Sequence, residues 1–110
     1  MKSDKQEYNY PNLRNCTVAI IGLGYVGLPL AVEFAKRKKC FLTGQNLSRK
    51  VIGFDIDQTR LKELNNFFDR TNEISRNDLS KNIFYKLTNK IEEIINADVF
   101  IITVPTPIDK

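Results

Sequence analysis

The chain has 110 residues, 42% of them hydrophobic, and a formal net charge of +4. That length allows one domain or part of one, and the apolar content supports a single core. The charge is too mild and too dispersed to mark a nucleic-acid binder, and the absence of histidine removes the commonest metal ligand and general base.

Residues 1–15, "MKSDKQEYNYPNLRN", are polar. They read as an N-terminal arm rather than a signal peptide, which would need an apolar stretch. The two cysteines, Cys16 and Cys40, lie 24 positions apart with no CxxC pattern. Two thiols without histidine make a poor metal site. With no secretory signal they read as reduced structural thiols of a cytoplasmic protein, although a disulfide between them stays open.

The next stretch, "VAIIGLGYVGLPLAVEFA" at 18–35, is long enough to span a bilayer. Three glycines, Pro29 and Glu33 argue against that, and the pattern changes midway. "TVAII" at 17–21 is a β-branched run typical of a strand buried on both faces. "GLGYVG" at 22–27 interrupts it, and "LPLAVEFAKRKK" at 28–39 has helical character. Gly27, Ala31 and Ala35 recur every fourth residue, a small-residue ridge on which a helix can lie close to a sheet. The segment therefore reads as strand, tight turn and helix. The basic run "KRKK" at 36–39 suits the C-terminal end of that helix better than a nucleic-acid or membrane contact.

A G-x-G-x-x-G turn between a strand and a helix has a defined job. Gly22 permits the sharp turn, Gly24 lets a pyrophosphate approach the backbone, and Gly27 permits close helix–strand contact. The N–H groups of the first helical turn then face the phosphates. Glycines also serve plain turns, so a second element is needed. "KVIGFDID" at 50–57 supplies it: a short apolar strand over 51–54 closed by Asp55. A carboxylate there accepts both hydroxyls of an adenosine ribose and repels a 2′-phosphate, which favours NAD over NADP. Asp57 is expected to cap the following helix, with Leu61, Leu64 and Phe68 on one face, leaving Asp55 free for a ligand. The usual spacing from first glycine to acid is about 20 residues. Here it is 33, and the excess lies in "KKCFLTGQNLSRK" at 38–50, read as a surface insertion with a turn near Thr43 and Gly44.

Beyond this, "SRND" at 75–78 reads as a capping-box start to a short helix through Leu79. "IFYKLT" at 83–88 has strand composition. "NKIEEIINA" at 89–97 reads as a helix capped by Asn89, with Ile91, Ile94 and Ile95 on one face. "DVFIITVP" at 98–105 is another apolar strand. The order β-α-β-α-α-β-α-β implies an α/β fold: a partial, doubly wound Rossmann-type sheet of four parallel strands in the order 3-2-1-4. Ligands of such sheets bind beyond the carboxyl ends of strands 1 and 4, which places the 22–27 turn and "VPTP" at 104–107 on one edge.

Four stretches in order, "VAIIGLGYVGLPLAVEFA", "VIGFDIDQTR", "DRTNEIS" and "ADVFIITVPTPIDK", resemble the N-terminal part of the UDP-sugar 6-dehydrogenases. The resemblance is to the UDP-N-acetylhexosamine dehydrogenases of capsule and O-antigen synthesis, and it covers 17–110 apart from the insertion. It implies an NAD-binding Rossmann domain over 16–110. The implied cofactor residues are Gly22, Leu23, Gly24, Tyr25, Val26 and Gly27 in the turn, Asp55 on the ribose and Arg60 near the adenosine. Val104 and Thr106 belong to the loop over the cofactor. The family oxidises C6 of a UDP-N-acetylhexosamine or UDP-glucose to a carboxylate, with two NAD and a thiohemiacetal on a cysteine. Neither Cys16 nor Cys40 matches that cysteine, so this chain alone is expected to be inactive and to hold no catalytic residue.

Two other readings stay open. One is a non-catalytic nucleotide-sensing Rossmann module, which leaves "DRTNEIS" and "VPTPID" unexplained. The other is an S-adenosylmethionine site, which also uses a glycine turn and an acid. The expected partners are NAD and, in the whole enzyme, a UDP-sugar, with neither nucleic acid nor membrane. The last strand, if left as an apolar edge, invites pairing into a homo-oligomer.

Overall fold

A computed structural model describes residues 14–40, 42–81 and 83–103. The residues read as an N-terminal arm therefore lie mostly outside the described residues, as do Val104, Thr106 and the rest of "VPTPID". The elements run β1 (Thr17–Ile21), α1 (Gly27–Lys36), β2 (Lys50–Phe54), α2 (Gln58–Asn65), α3 (Arg76–Leu79), β3 (Lys86–Thr88), a 3-10 turn (Ile91–Glu93) and β4 (Val99–Ile102). The four strands form one parallel sheet in the order β3-β2-β1-β4. The Rossmann-type arrangement expected from the sequence is the one present.

The chain order explains which face each helix covers. Steps from β1 to β2 to β3 run in one direction, so right-handed connections put α1, α2 and α3 on one face. There Val18, Ile20 and Val51 pack with Leu28, Ala31, Val32, Ala35, Leu61, Leu64 and Leu79. The step from β3 back to β4 runs the other way and crosses the opposite face, where Ala19, Ile52 and Phe54 meet Ile94. This second layer is thin. Phe100 and Ile102, on the face of β4 shared with Ala19 and Ile21, are 47% and 68% exposed.

The small-residue ridge of α1 is buried as expected: Gly27, Ala31 and Ala35 all face inward. Asp57 caps α2, its carboxylate accepting from the N–H groups of Thr59 (2.9 Å) and Arg60 (3.3 Å). Ser75 caps α3 by accepting from Asp78 N (3.1 Å).

Several boundaries depart from the sequence reading. Helix α2 stops at Asn65, because Phe67 adopts a positive φ of 62° and turns the chain away. Phe68 therefore leaves the helix face and is exposed. Strand β3 is shorter than 83–88. The segment 89–97 holds a 3-10 turn over Ile91–Glu93 rather than an α-helix, with Lys90 and not Asn89 at its N-cap position. The Thr88 hydroxyl accepts from Lys90 N (3.0 Å) and donates to Glu93, which tightens the chain immediately after β3. The following bonds, Ile94 N to Ile91 O and Ala97 N to Ile94 O, keep that tight i to i+3 spacing. Only Ile94 reaches the core; Ile91 and Ile95 are exposed.

The insertion folds back on itself. Lys39 and Asn46 form an antiparallel bridge, and Cys40 and Gln45 close around a turn in which Gly44 has φ 74°. Leu47 is buried and anchors the returning limb. The KRKK run is split between the end of α1 and this stem. Cys16 and Cys40 are both free thiols, the first buried. Among the described residues, no helix is long and apolar enough to cross a membrane.

Candidate functional site: the turn between β1 and α1

At the carboxyl end of the sheet, the 22–27 turn joins β1 to α1 between β2 and β4. Gly22 leaves β1 with φ +98°, a conformation that side chains disfavour. Its N–H still pairs with Phe54 O (2.8 Å), so β1 is held against β2 to its last residue. The Thr103 hydroxyl donates to the carbonyls of Gly22 (2.9 Å) and Ile21 (3.2 Å), closing the turn from the β4 side. A Cβ on Gly27 would collide with the Gly22 carbonyl and lie 2.7 Å from Thr103 Oγ1. The third glycine therefore permits the turn to close under α1.

Gly24 is different, because a Cβ there would meet nothing within 4 Å. Its missing side chain leaves open space beside exposed backbone, the kind of cradle a pyrophosphate requires. Helix α1 starts directly behind it. Its N-cap residue is Val26, which has no group able to cap, and there is no acid in its first turn. The positive end of the helix dipole thus faces the open side with neither a capping side chain nor an acid of its own first turn. Side chains cap α2 and α3 instead. Tyr25 and Val26, next in the turn, are exposed. These features fit the pyrophosphate of a dinucleotide.

Leu23 is the pivot. Its side chain is fully buried against β2 at Gly53, where a Cβ would come within 3.1 Å of it and 2.7 Å of Leu87. Its backbone is gripped from both sides. Asp55 Oδ2 accepts from Leu23 N (2.9 Å), and Arg60 Nε donates to Leu23 O (2.7 Å). Asp55 Oδ1 also accepts from Asp57 N (3.0 Å). The structure thus corrects one expectation: Asp55 is not free, since one oxygen already braces the turn at Leu23 and the other accepts from Asp57 N. A carboxylate offers about four acceptor positions, so capacity for further donors remains.

Arg60 is 5% exposed, under the turn rather than on the open surface. Its Nη1 lies 2.8 Å from Asp69 Oδ1, an ion pair with both side chains buried. The contact is too poorly aligned to count as a hydrogen bond, and neither Nη1 nor Nη2 has another partner among the described residues. Asp69 opens the "DRTNEIS" stretch and organises it. It accepts from Thr71 N (3.0 Å), Thr71 Oγ1 (2.6 Å), Glu73 N (2.8 Å) and Ile74 N (2.9 Å).

Burial alone pushes the Asp69 carboxyl up. The Thr71 hydroxyl, the Ile74 N–H, the Arg60 guanidinium and the Thr71 N–H outweigh that and hold it at about 2 instead of 3.8. A carboxylate depressed in the folded state contributes stability that is complete above its unfolded pKa and lost as pH falls through the folded one. Urea denaturation should therefore show on the order of 2 kcal/mol of Asp69-dependent stability disappearing between about pH 4 and about pH 2. Glu93 is also held low, first by the Thr88 hydroxyl, and titrates in the same sense. The comparison of wild type with Asp69→Asn isolates the Asp69 part: the variant should show a shallower acid limb, and equal limbs would contradict the assignment.

The turn therefore brings together Gly22, Leu23, Gly24, Tyr25, Val26, Gly27, Asp55 and Arg60 of the expected cofactor residues. Val104 and Thr106 lie outside the described residues. Three residues the sequence reading passed over prove structural to the site: Gly53, Thr103 and Asp69. An isolated glycine inside an apolar strand does signal close approach, so Gly53 could have been found. The pairing of Asp69 with Arg60 had no local signal.

Fold and turn together define a Rossmann-type dinucleotide-binding unit. Residues 16–110 match the model of the UDP-glucose/GDP-mannose dehydrogenase family, NAD binding domain, and the chain belongs to that family. It is 49% identical over 96 residues to Protein CapL of Staphylococcus aureus, a match covering 87% of this chain and 20% of that one. It is 47% identical to the UDP-N-acetyl-D-glucosamine 6-dehydrogenase of Salmonella typhi, covering 84% and 19%. The solved UDP-D-ManNAc dehydrogenase of Pyrococcus horikoshii superposes with a TM-score of 0.64 at 33% identity, over 84% of this chain and 21% of that structure. The chain thus spans about a fifth of the length of the curated relatives it matches. Family membership decides for NAD over S-adenosylmethionine.

Proposed function

We infer that this chain is the cofactor-binding part of an NAD-dependent enzyme that oxidises C6 of a UDP-N-acetylhexosamine to the uronic acid. The observation that carries the reading is the open backbone at Gly24 in front of the uncapped end of α1. The names of two relatives, both UDP-N-acetyl-D-glucosamine 6-dehydrogenases, support the substrate class. NAD, when bound, supplies the hydride acceptor. The chain's own residues bind and orient it. Gly24, Tyr25 and Val26 face the pyrophosphate, the remaining acceptor positions of Asp55 take the adenosine ribose hydroxyls, and Arg60 braces the turn beside the adenosine. Sugar oxidation needs a nucleophile and a base held against C6, and neither Cys16 nor Cys40 lies at the 22–27 turn. We therefore place the chemistry outside these 110 residues, in a cytoplasmic enzyme serving capsule or O-antigen synthesis. The exposed apolar face of β4 suits packing against further polypeptide, a second copy included.

Calorimetric titration tests the reading. The chain should bind NAD more tightly than NADP, because Asp55 repels a 2′-phosphate. Asp55→Ala removes charge-assisted acceptors worth about 1.5–3 kcal/mol, a loss of roughly ten- to a hundredfold in NAD affinity. Unchanged affinity in the variant, or preference for NADP in the wild type, would count against it.

A further inference from the structure

We propose that Asp69, outside the glycine turn and assigned no role by the sequence motifs, is a positioning residue for NAD that acts through Arg60 on the peptide between Leu23 and Gly24. The peptide unit is planar and trans, so its C=O and N–H point in opposite directions. Arg60 Nε holds the Leu23 carbonyl from beneath the turn at 2.7 Å. The N–H of Gly24 belongs to the same peptide and is thereby turned away from Arg60, on an exposed residue at which a Cβ would meet nothing within 4 Å. The preceding peptide is set by the same logic: its N–H, on Leu23, goes to Asp55, and its C=O, on Gly22, goes to Thr103.

Arg60 can do this only if its guanidinium stays buried, and a buried cation needs a partner. Asp69 Oδ1, 2.8 Å from Nη1, is that partner. Asp69 is itself fixed by four donors of the segment it opens, from Thr71, Glu73 and Ile74. The result is a chain of contacts from the loop after α2 to the backbone that faces the pyrophosphate. Without the carboxylate, Arg60 gains by swinging out to water, and the Leu23 carbonyl loses its donor. The Leu23–Gly24 peptide is then free to rotate, and the cradle must be re-ordered each time the dinucleotide binds.

This inference rests on the reading of the 22–27 turn as the pyrophosphate cradle, and the test separates the two. NAD affinity and backbone amide NMR spectra are measured on the full chain, for wild type, Asp69→Asn, Arg60→Lys, the double variant and Gly24→Ala. Arg60→Lys keeps a cation for Asp69 but removes Nε, so it serves where Asp69→Asn does not fold. The expected result is at least a tenfold loss of NAD affinity in each single variant. Shifts of the Leu23 and Gly24 amides should appear while those of β2 and α1 stay in place. The double variant should bind no worse than its weaker parent, since both changes cut one chain of contacts. A folded Asp69→Asn or Arg60→Lys with wild-type affinity and unmoved Leu23 and Gly24 amides would overturn the proposal. Multiplying losses in the double variant would do the same. If Gly24→Ala leaves NAD affinity unchanged, the cradle reading fails by itself, and the amide shifts still decide whether Asp69 sets the peptide.

Discussion

Gly24→Ala is expected to abolish most NAD affinity while leaving the melting temperature of the chain almost unmoved. An added Cβ at this position meets no atom within 4 Å, and no positive φ forbids it. Alanine also loses less backbone entropy on folding than glycine, so the folded chain should be neutral or slightly stabilised. The cost falls entirely on the ligand, since the methyl group occupies the space through which a pyrophosphate reaches the backbone. A loss of tenfold or more, about 1.4 kcal/mol, should be seen by calorimetry. Gly27→Ala is the contrasting variant. Its Cβ would strike the Gly22 carbonyl, a backbone group that cannot move aside as the end of a flexible side chain can. That variant should lose stability and affinity together. The pair separates a glycine that exists for the ligand from one that exists for the fold. Should Gly24→Ala bind NAD normally, the turn is not the cofactor site. Should it melt well below wild type, the open space beside Gly24 is not open.

Where sequence periodicity reported on burial, it was reliable. The β-branched run 17–21, the small-residue ridge of α1 and the apolar strand 51–54 each have a two-sided or one-sided environment that dictates residue type, and all three elements fall where the pattern puts them. The 89–97 segment shows where that logic stops. Its isoleucines have helical spacing, yet Thr88 bonds forward to Lys90 and Glu93, and these local bonds win over a weak pattern. The thin layer it forms leaves Ile91 and Ile95 nothing to pack on. The site divides along the same line. The glycines and Asp55 announce themselves because their spacing along the chain reflects one turn and the next strand. The clamp on Leu23 does not, because Arg60 lies far along the chain from Leu23, and Asp69, farther still, reaches it only through Arg60. Even Asp55 was half read: its position at the end of β2 was visible, its bonds to Leu23 and Asp57 were not.

Arg60→Met should be among the most destabilising single changes in the chain, costing about 3–5 kcal/mol in urea denaturation, because it leaves the buried Asp69 carboxylate without its cation. That is a large share of the 5–15 kcal/mol typical of a small domain. For an ordinary buried ion pair, replacing both partners with apolar groups of similar size restores stability or exceeds it. Here the double variant Arg60→Met, Asp69→Leu should recover little. Asp69 serves Arg60 with one oxygen and accepts four hydrogen bonds from Thr71, Glu73 and Ile74 with the two together. Leucine fills the volume but strands those donors, and each one left unsatisfied away from water costs about 1–3 kcal/mol. The Leu23 carbonyl loses its only side-chain donor among the described residues as well. Arg60→Met, Asp69→Asn keeps one acceptor oxygen for the loop and should sit above the leucine double variant in stability. A leucine double variant as stable as wild type would mean that the loop from Asp69 to Ile74 holds its shape without the carboxylate. Asp69 would then be a counter-ion to Arg60 and nothing more.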